Sequence, residues 1–308
     1  MPYSFHSHSG QFCKHGYGLL EDVVKEAIRK GFYAYGLSEH MPRYAESELY
    51  PEELEASCSP TTLEATYADF QVEAKRVQQK YKDQINILIG AEIEFINKDY
   101  AQHVRNLRNV YKADYVVGSL HHVNSVPIDF SPELYAEALG QVNSLEDLYV
   151  QYFDEQYVML QSVQPEVVGH FDLIRIFADQ QIADSTLLQP EVWKRVVRNI
   201  DLVVGYGGVF EINSRSWKKG LVDAYPQRDI IKVGPGNAVL EKNGKFTLSD
   251  DCHGPNDVGL FYEKLPAYMK ENQITTLYYL AHDESGKITV EKHEHILDDV
   301  FWDKIQHW

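Results

Sequence analysis

Seven short apolar runs, around residues 3–8, 33–38, 86–93, 115–120, 166–169, 208–212 and 246–250, alternate with amphipathic stretches of helical period over 20–30, 63–82, 100–111, 145–163 and 191–204. No long Pro/Gly/Ser linker separates them. Strand alternating with helix implies parallel pairing, so the chain is expected to form an open doubly wound sheet or a closed α/β barrel. At 308 residues, one large domain is the simpler reading. Two stretches break the rhythm. Residues 41–60 are acidic and turn-rich and read as a long loop. Residues 226–245 carry Gly234-Pro235-Gly236, which would end any helix there. The tail from residue 273 to 308 offers a short apolar run over 276–281 and an amphipathic end, and reads as an extension packed on the main body.

The ends of the predicted strands gather one kind of chemistry. His6, His8, His40, His121 and His170 sit at or just past the C-terminal ends of four of them, Glu92 lies near the end of the third, and Asp251 and His253 follow the seventh. In parallel α/β folds that edge is where active sites are built. His6 and His8 are a period-2 pair, so both rings leave a strand on one face, and Asp251 and His253 repeat the spacing. Closing the sheet would bring these two pairs together. A lone pair of this kind is as readily an ordinary polar strand pair, and a single buried His is more often a hydrogen-bonded core residue than a ligand. The joint placement carries the reading. Imidazole mixed with carboxylate suits Zn²⁺, Mn²⁺ or Fe²⁺. His103, His122, His282, His293, His295 and His307 lack this placement and read as structural or surface residues, His122 being the closest to the set.

The formal charge of −17 argues against binding to nucleic acid or anionic membranes, which requires clustered Lys and Arg. It would also repel a phosphorylated metabolite unless the site concentrates positive charge. Three Cys (Cys13, Cys58 and Cys252) with no C-x-x-C spacing fit a reducing compartment and argue against a disulfide framework or an all-cysteine zinc site. No signal-peptide pattern opens the chain and no apolar stretch approaches 18 residues, so a cytoplasmic protein is expected.

At the motif level the chain resembles the PHP family, and within it the fungal histidinol-phosphate phosphatases. His6-Ser7-His8, followed by His15-Gly16, is similar to that family's opening H-x-H…H-G element, and Ser38-Glu39-His40-Met41-Pro42 to its T/S-E-H-x-P turn. Gly90-Ala91-Glu92, Gly118-Ser119-Leu120-His121 and Gly169-His170-Phe171-Asp172 look like its G-x-E, G-S-x-H and G-H-x-D. Ser249-Asp250-Asp251-Cys252-His253-Gly254 resembles the closing S-D-D-x-H-G. Val123-Asn124 with Pro127-Ile128-Asp129-Phe130 is similar to a fungal segment, and Glu211-Ile212-Asn213 with Lys218-Lys219 and Tyr225-Pro226 to another. These matches run in order over about residues 4–260.

The resemblance implies a distorted (β/α)7 barrel holding three divalent cations, zinc with iron or manganese as alternatives. Carried over by position, the first would take His6, His8, Glu92 and Asp251. The second would take His15, His40 and His253, and the third Glu92, His121 and His170. Glu94, two residues on and on the same face, would be left an acid behind the ligands or at the surface, with Glu92 the ligand. Lys218 stands in the register of the family's phosphate-contacting Arg, with Arg215 as the alternative. Arg and Lys are not equivalent at a bidentate site. Arg175 is the best candidate phosphate clamp against a surface arginine, and Asp129 the candidate for recognising the substrate's amine or imidazole against a turn-capping role.

Seven imidazoles and two carboxylates around three divalent cations would leave a formal surplus of about four positive charges, enough to hold a phosphomonoester dianion inside an acidic protein. The implied activity is hydrolysis of L-histidinol phosphate in histidine biosynthesis by a metal-activated hydroxide. Asp251, His253, Glu92 and Arg175 would be its catalytic residues, and the only implied partner is a small phosphomonoester. The competing readings are a phosphoesterase acting on another phosphomonoester or a nucleotide end, and a metal-binding protein of the same barrel without turnover.

Overall fold

A computed structural model of the chain describes residues 1–232 and 239–308. The seven expected strands are present: β1 (Tyr3–Ser4), β2 (Ala34–Leu37), β3 (Asn86–Ile93), β4 (Tyr115–Gly118), β7 (Val167–Val168), β8 (Val209–Asn213) and β9 (Lys245–Ser249). Between β4 and β7 lies a small hairpin of β5 (His122–Val123) and β6 (Val126–Pro127). The seven strands form one parallel sheet in the order β1-β2-β3-β4-β7-β8-β9, and helices join each to the next. Apart from Asn86, every residue of β3 is buried, the pattern of a strand covered on both faces.

The sheet curls into a nearly closed barrel. At its seam a parallel bridge pairs Ser7 with Cys252, the His8 amide donates to the Cys252 carbonyl at 2.7 Å, and Ser4 Oγ donates to Asp250 Oδ1 at 2.8 Å. Tyr115 fills the interior and donates its hydroxyl to the Phe5 carbonyl at 2.8 Å. Gly36 and Gly90 make room for it. A Cβ on Gly36 would stand 2.0 Å from the Tyr115 hydroxyl, and one on Gly90 2.6 Å from its ring.

Helices start where the sequence offers caps. Ser59, Ser131 and Ser144 accept from the amides of Thr62, Leu134 and Asp147. The expected loop over 41–60 contains a 3₁₀ turn at Glu46–Glu48 and a short helix at Pro51–Glu55. Within 226–245 a short helix spans Arg228–Ile231, and Gly234-Pro235-Gly236 lie outside the described residues. The tail is more ordered than its pattern suggested. It forms an antiparallel hairpin of β10 (Thr276–His282) and β11 (Ile288–Glu294), the second strand too charged to read as a strand. Leu277 and Leu280 enter the common core, Tyr279 packs on Tyr3, and Trp308 stacks on Phe32. Among the described residues, no helix is long and apolar enough to cross a membrane.

Candidate metal centre

Each strand delivers its chemistry to the same rim. Glu92, near the end of β3, is 1% exposed, yet it is ringed by imidazoles. Its Oε1 lies 3.0, 3.2 and 3.1 Å from Nε2 of His6, His121 and His170, and its Oε2 lies 3.2 Å from His8 Nε2 and 3.0 Å from His40 Nδ1. Asp251 Oδ1 sits 3.7 and 3.6 Å from the Nε2 atoms of His6 and His8 across the barrel seam. His15 and His253 extend the cluster outward, with ring centroids 4.7 Å apart. All nine sequence-predicted donors therefore converge. Several sets of three or four lie close enough to share one ion, among them His6, His8 and Asp251, and Cys13, His15, His40 and His253.

A second layer of carboxylates holds the outer nitrogens. Glu211 Oε2 lies 3.0 Å from His6 Nδ1, Glu39 Oε1 3.0 Å from His8 Nδ1, and Glu94 Oε2 2.9 Å from His121 Nδ1. A carboxylate can only accept, so each Nδ1 carries a proton and each Nε2 faces inward, where it can offer its lone pair to a cation once its own proton leaves. The inward Nε2 atoms of His6 and His8 are buried without a hydrogen-bond partner. Such donors suit divalent cations. Glu94 is thus not a surface acid. Glu39 and Glu211 were hidden in the sequence, although the motifs containing them were visible.

Electrostatics follow from that crowding. Burial alone would lower the pKa values of His6, His40 and His121, but the surrounding carboxylates raise all three well above the ordinary imidazole range. Burial would raise the carboxyl of Glu92, and His6, His40 and His121 instead hold it well below the carboxylate range. Without ions the cluster therefore stores protons, and cations binding there would displace them. His122 differs. Burial pushes its pKa down to about 4, and its ring tilts against Tyr50, which makes it a buried neutral residue rather than a surface one.

The cluster opens into a cleft of about 410 Å³, a size suited to a small ligand. Arg43, Tyr50, Asp129, Phe130, Arg215 and Lys219 line it along with the cluster. Two expectations need correction. Arg175 does not line the cleft: its Nε pairs with buried Asp172 at 2.8 Å, its Nη2 donates to the Asp223 and Ala224 carbonyls, and it packs over Tyr225. A buried guanidinium committed to these partners braces the rim and does not serve as a direct phosphate clamp. Lys218 also turns away, its Nζ 2.8 Å from Asp257 Oδ2. The 3₁₀ turn at Ser214–Trp217 instead brings Arg215 and Lys219 to the cleft, with Arg215 Nη1 held by the Asp251 carbonyl and Asp257 at 3.1 Å each. Lys219 and Cys13 were not singled out from the sequence.

The PHP domain model matches residues 4–215. The chain is 45% identical over 305 residues to the "Probable histidinol-phosphatase" of Schizosaccharomyces pombe, covering 99% of this chain and 97% of the relative. It is 32% identical to the histidinol-phosphatase of Saccharomyces cerevisiae, covering 98% of this chain and 100% of the relative. Among solved structures, the histidinol phosphate phosphatase of Lactococcus lactis, complexed with zinc, L-histidinol and phosphate, superposes with a TM-score of 0.66 at 18% identity, over 94% of this chain and 98% of that one. That likeness carries the barrel fold.

Proposed function

The chain belongs to the PHP domain family, and from that premise we propose that it hydrolyses L-histidinol phosphate to L-histidinol and phosphate at a centre of three divalent cations. The observation that supports this most directly is the ring of five imidazole nitrogens within 3.2 Å of the single carboxylate of Glu92. His6, His8, Glu92 and Asp251 would hold one cation, His15, His40 and His253 a second, and Glu92, His121 and His170 the third. Zinc suits this donor set, with iron or manganese as alternatives. The residues 1–308 act as one metallophosphoesterase unit, with 273–308 as an extension packed on the barrel.

When bound, the cations supply charge against the phosphoryl oxygens and acidify water so that a nucleophile exists near neutral pH. The chain's own residues prepare the place. Glu39, Glu94 and Glu211 fix the ring orientations, so little reorganisation is needed during the reaction. Arg215 and Lys219, on the rim, bind the phosphate and orient it. Asp129, in the same cleft, accepts a hydrogen bond from the ammonium or imidazole of histidinol, and Tyr50 and Phe130 flank that end with aromatic surface. Burial of His6, His8, Glu92, His121 and His170 keeps bulk water from the inner part of the cluster.

The test pairs elemental analysis of purified protein with turnover of histidinol phosphate, before and after chelation, beside a panel of other phosphomonoesters and an oligonucleotide. Chelation should abolish turnover and added zinc, iron or manganese should restore it, with histidinol phosphate the preferred ester. A fully metal-loaded protein that leaves histidinol phosphate intact would refute the proposal.

A further inference from the structure

Cys13 stands two residues before His15, on the turn that follows His8. The turn is tied down at three points. The Cys13 amide donates to the Ser9 carbonyl at 2.9 Å, the Gly16 amide to the Cys13 carbonyl at 3.2 Å, and the Tyr17 amide to the His253 carbonyl at 2.8 Å. Gly16 permits this closeness, because a Cβ there would stand 2.9 Å from the backbone of Ser9 and Gly10 and 3.1 Å from the His253 carbonyl. Cys13 is 6% exposed and lines the cleft, and its sulfur with one ring nitrogen from each of His15, His40 and His253 forms a set in which all four atoms lie within 4.8 Å of one another.

Two of the three imidazoles are held at Nδ1. His15 Nδ1 lies 2.7 Å from Glu52 Oε1 and His253 Nδ1 lies 2.9 Å from the Asp251 carbonyl, whereas His40 Nδ1 faces Glu92 Oε2 at 3.0 Å without a hydrogen bond. Outer acceptors of this kind fix the tautomer and leave Nε2 with its lone pair for an ion. Both ring nitrogens of His40 are buried with no hydrogen-bond partner. The fourth corner of the set is the sulfur. Around a tetrahedral zinc ion, with Zn–S of about 2.3 Å and Zn–N of about 2.0 Å, donor atoms stand roughly 3.5 Å apart. A set already within 4.8 Å needs only a small contraction to meet that spacing.

We propose that Cys13 is the fourth protein donor to the cation held by His15, His40 and His253, binding as a thiolate. This rests on the metal-centre reading above and deepens it. As the sulfur–metal bond forms, the thiol S–H bond breaks and its proton passes to solvent; no oxidant or reductant takes part. The consequence is selectivity. One thiolate beside three imidazoles favours zinc over manganese or magnesium at this position, whereas the positions built on Glu92 and Asp251 offer only nitrogen and oxygen. The other cysteines are placed differently: Cys252 is buried at the barrel seam, accepting from the Tyr35 hydroxyl at 3.2 Å, and Cys58 is partly exposed on the loop before the helix Pro60–Tyr81.

The test uses the full chain, stripped of metal and titrated with cobalt(II). A sulfur-to-cobalt charge-transfer band in the near ultraviolet should grow with binding, vanish in Cys13→Ser and persist in Cys58→Ser. Zinc should bind Cys13→Ser about 10–100-fold more weakly at one position. Should Cys13→Ser fail to fold, iodoacetamide labelling of the wild-type chain, mapped by peptide mass spectrometry, supplies the same decision. Cys13 should be alkylated in the stripped protein and protected after zinc is added, while Cys58 labels equally in both. Cobalt binding without the band, or equal labelling of Cys13 with and without zinc, overturns the thiolate while leaving the metal centre standing. Absence of any cobalt binding would remove the underlying reading as well.

Discussion

Glu92 Oε1 lies 3.0 Å from His6 Nε2, joining the third strand of the barrel to the first at the point where five imidazoles meet. A carboxylate 1% exposed needs compensating charge, and these histidines supply it until cations do.

Glu92→Gln keeps the shape and removes the charge. It should lower bound metal and reduce kcat by more than about a hundredfold, since even altering an outer-layer partner costs about 10–100-fold. Metal content by elemental analysis and steady-state kinetics check this. Full metal occupancy with normal turnover would show that Glu92 holds no ion.

Arg215 and Lys218 should part company. Arg215→Ala should raise KM for the phosphate ester by about 10–100-fold, the effect of losing a charge-assisted hydrogen bond of about 1.5–3 kcal/mol. Lys218→Ala removes only a half-exposed pair with Asp257 and should change KM by less than about threefold. The reverse ranking would return Lys218 to the phosphate.

Removing Arg175 should act on stability first. Its partner Asp172 is fully buried, and leaving such a charge unpaired costs about 3–5 kcal/mol. Denaturant midpoints of Arg175→Met against wild type measure the loss. A variant of normal stability whose KM rises steeply would instead make Arg175 a phosphate ligand.

Glu21 offers a pH-dependent prediction away from the metal centre. Lys80, Arg76 and Tyr81 hydrogen-bond its carboxylate and draw its pKa from 4.5 down to about 2. A depressed folded-state value means the stabilisation is fully present above pH 4.5 and is lost as pH falls through about 2. The wild type should therefore exceed Glu21→Gln in stability at neutral pH by a small margin that shrinks below pH 4.5. Denaturation midpoints across pH 2–7 test this, and a pH-independent difference would rule out the linkage.

Much of the barrel could be read from the sequence because buried parallel strands are apolar runs bounded by helical periods, as in β3. The donors were legible because chemistry at strand ends repeats with the strands. Other features depend on rotation and depth. In a 3₁₀ turn successive residues swing by about 120°, so the turn at Ser214–Trp217 sends Lys218 to Asp257 and Lys219 to the cleft, a distinction register alone does not give. Arg175 was hard to place from the sequence because its partners, the Asp172 carboxylate and the Asp223 and Ala224 carbonyls, meet around it only in the folded chain. Glu39 and Glu211 sat inside recognisable motifs, but which carboxylate backs which ring is decided by three-dimensional packing. The strand β11 escaped notice because it carries Glu291, Lys292 and Glu294 on a hairpin exposed to solvent.

The join between Ser7 and Cys252 has a thermodynamic corollary. His8 stands on one side of it and Asp251 and His253 on the other, so an ion gripped by both sides would act as a rivet through the edge where the cylinder meets itself. Occupancy and closure would then draw on the same free energy, each strengthening the other by mass action. Withdrawing the ions should therefore loosen this edge before any other part of the wall, seen as amide exchange rising first at residues 7–8 and 252–253.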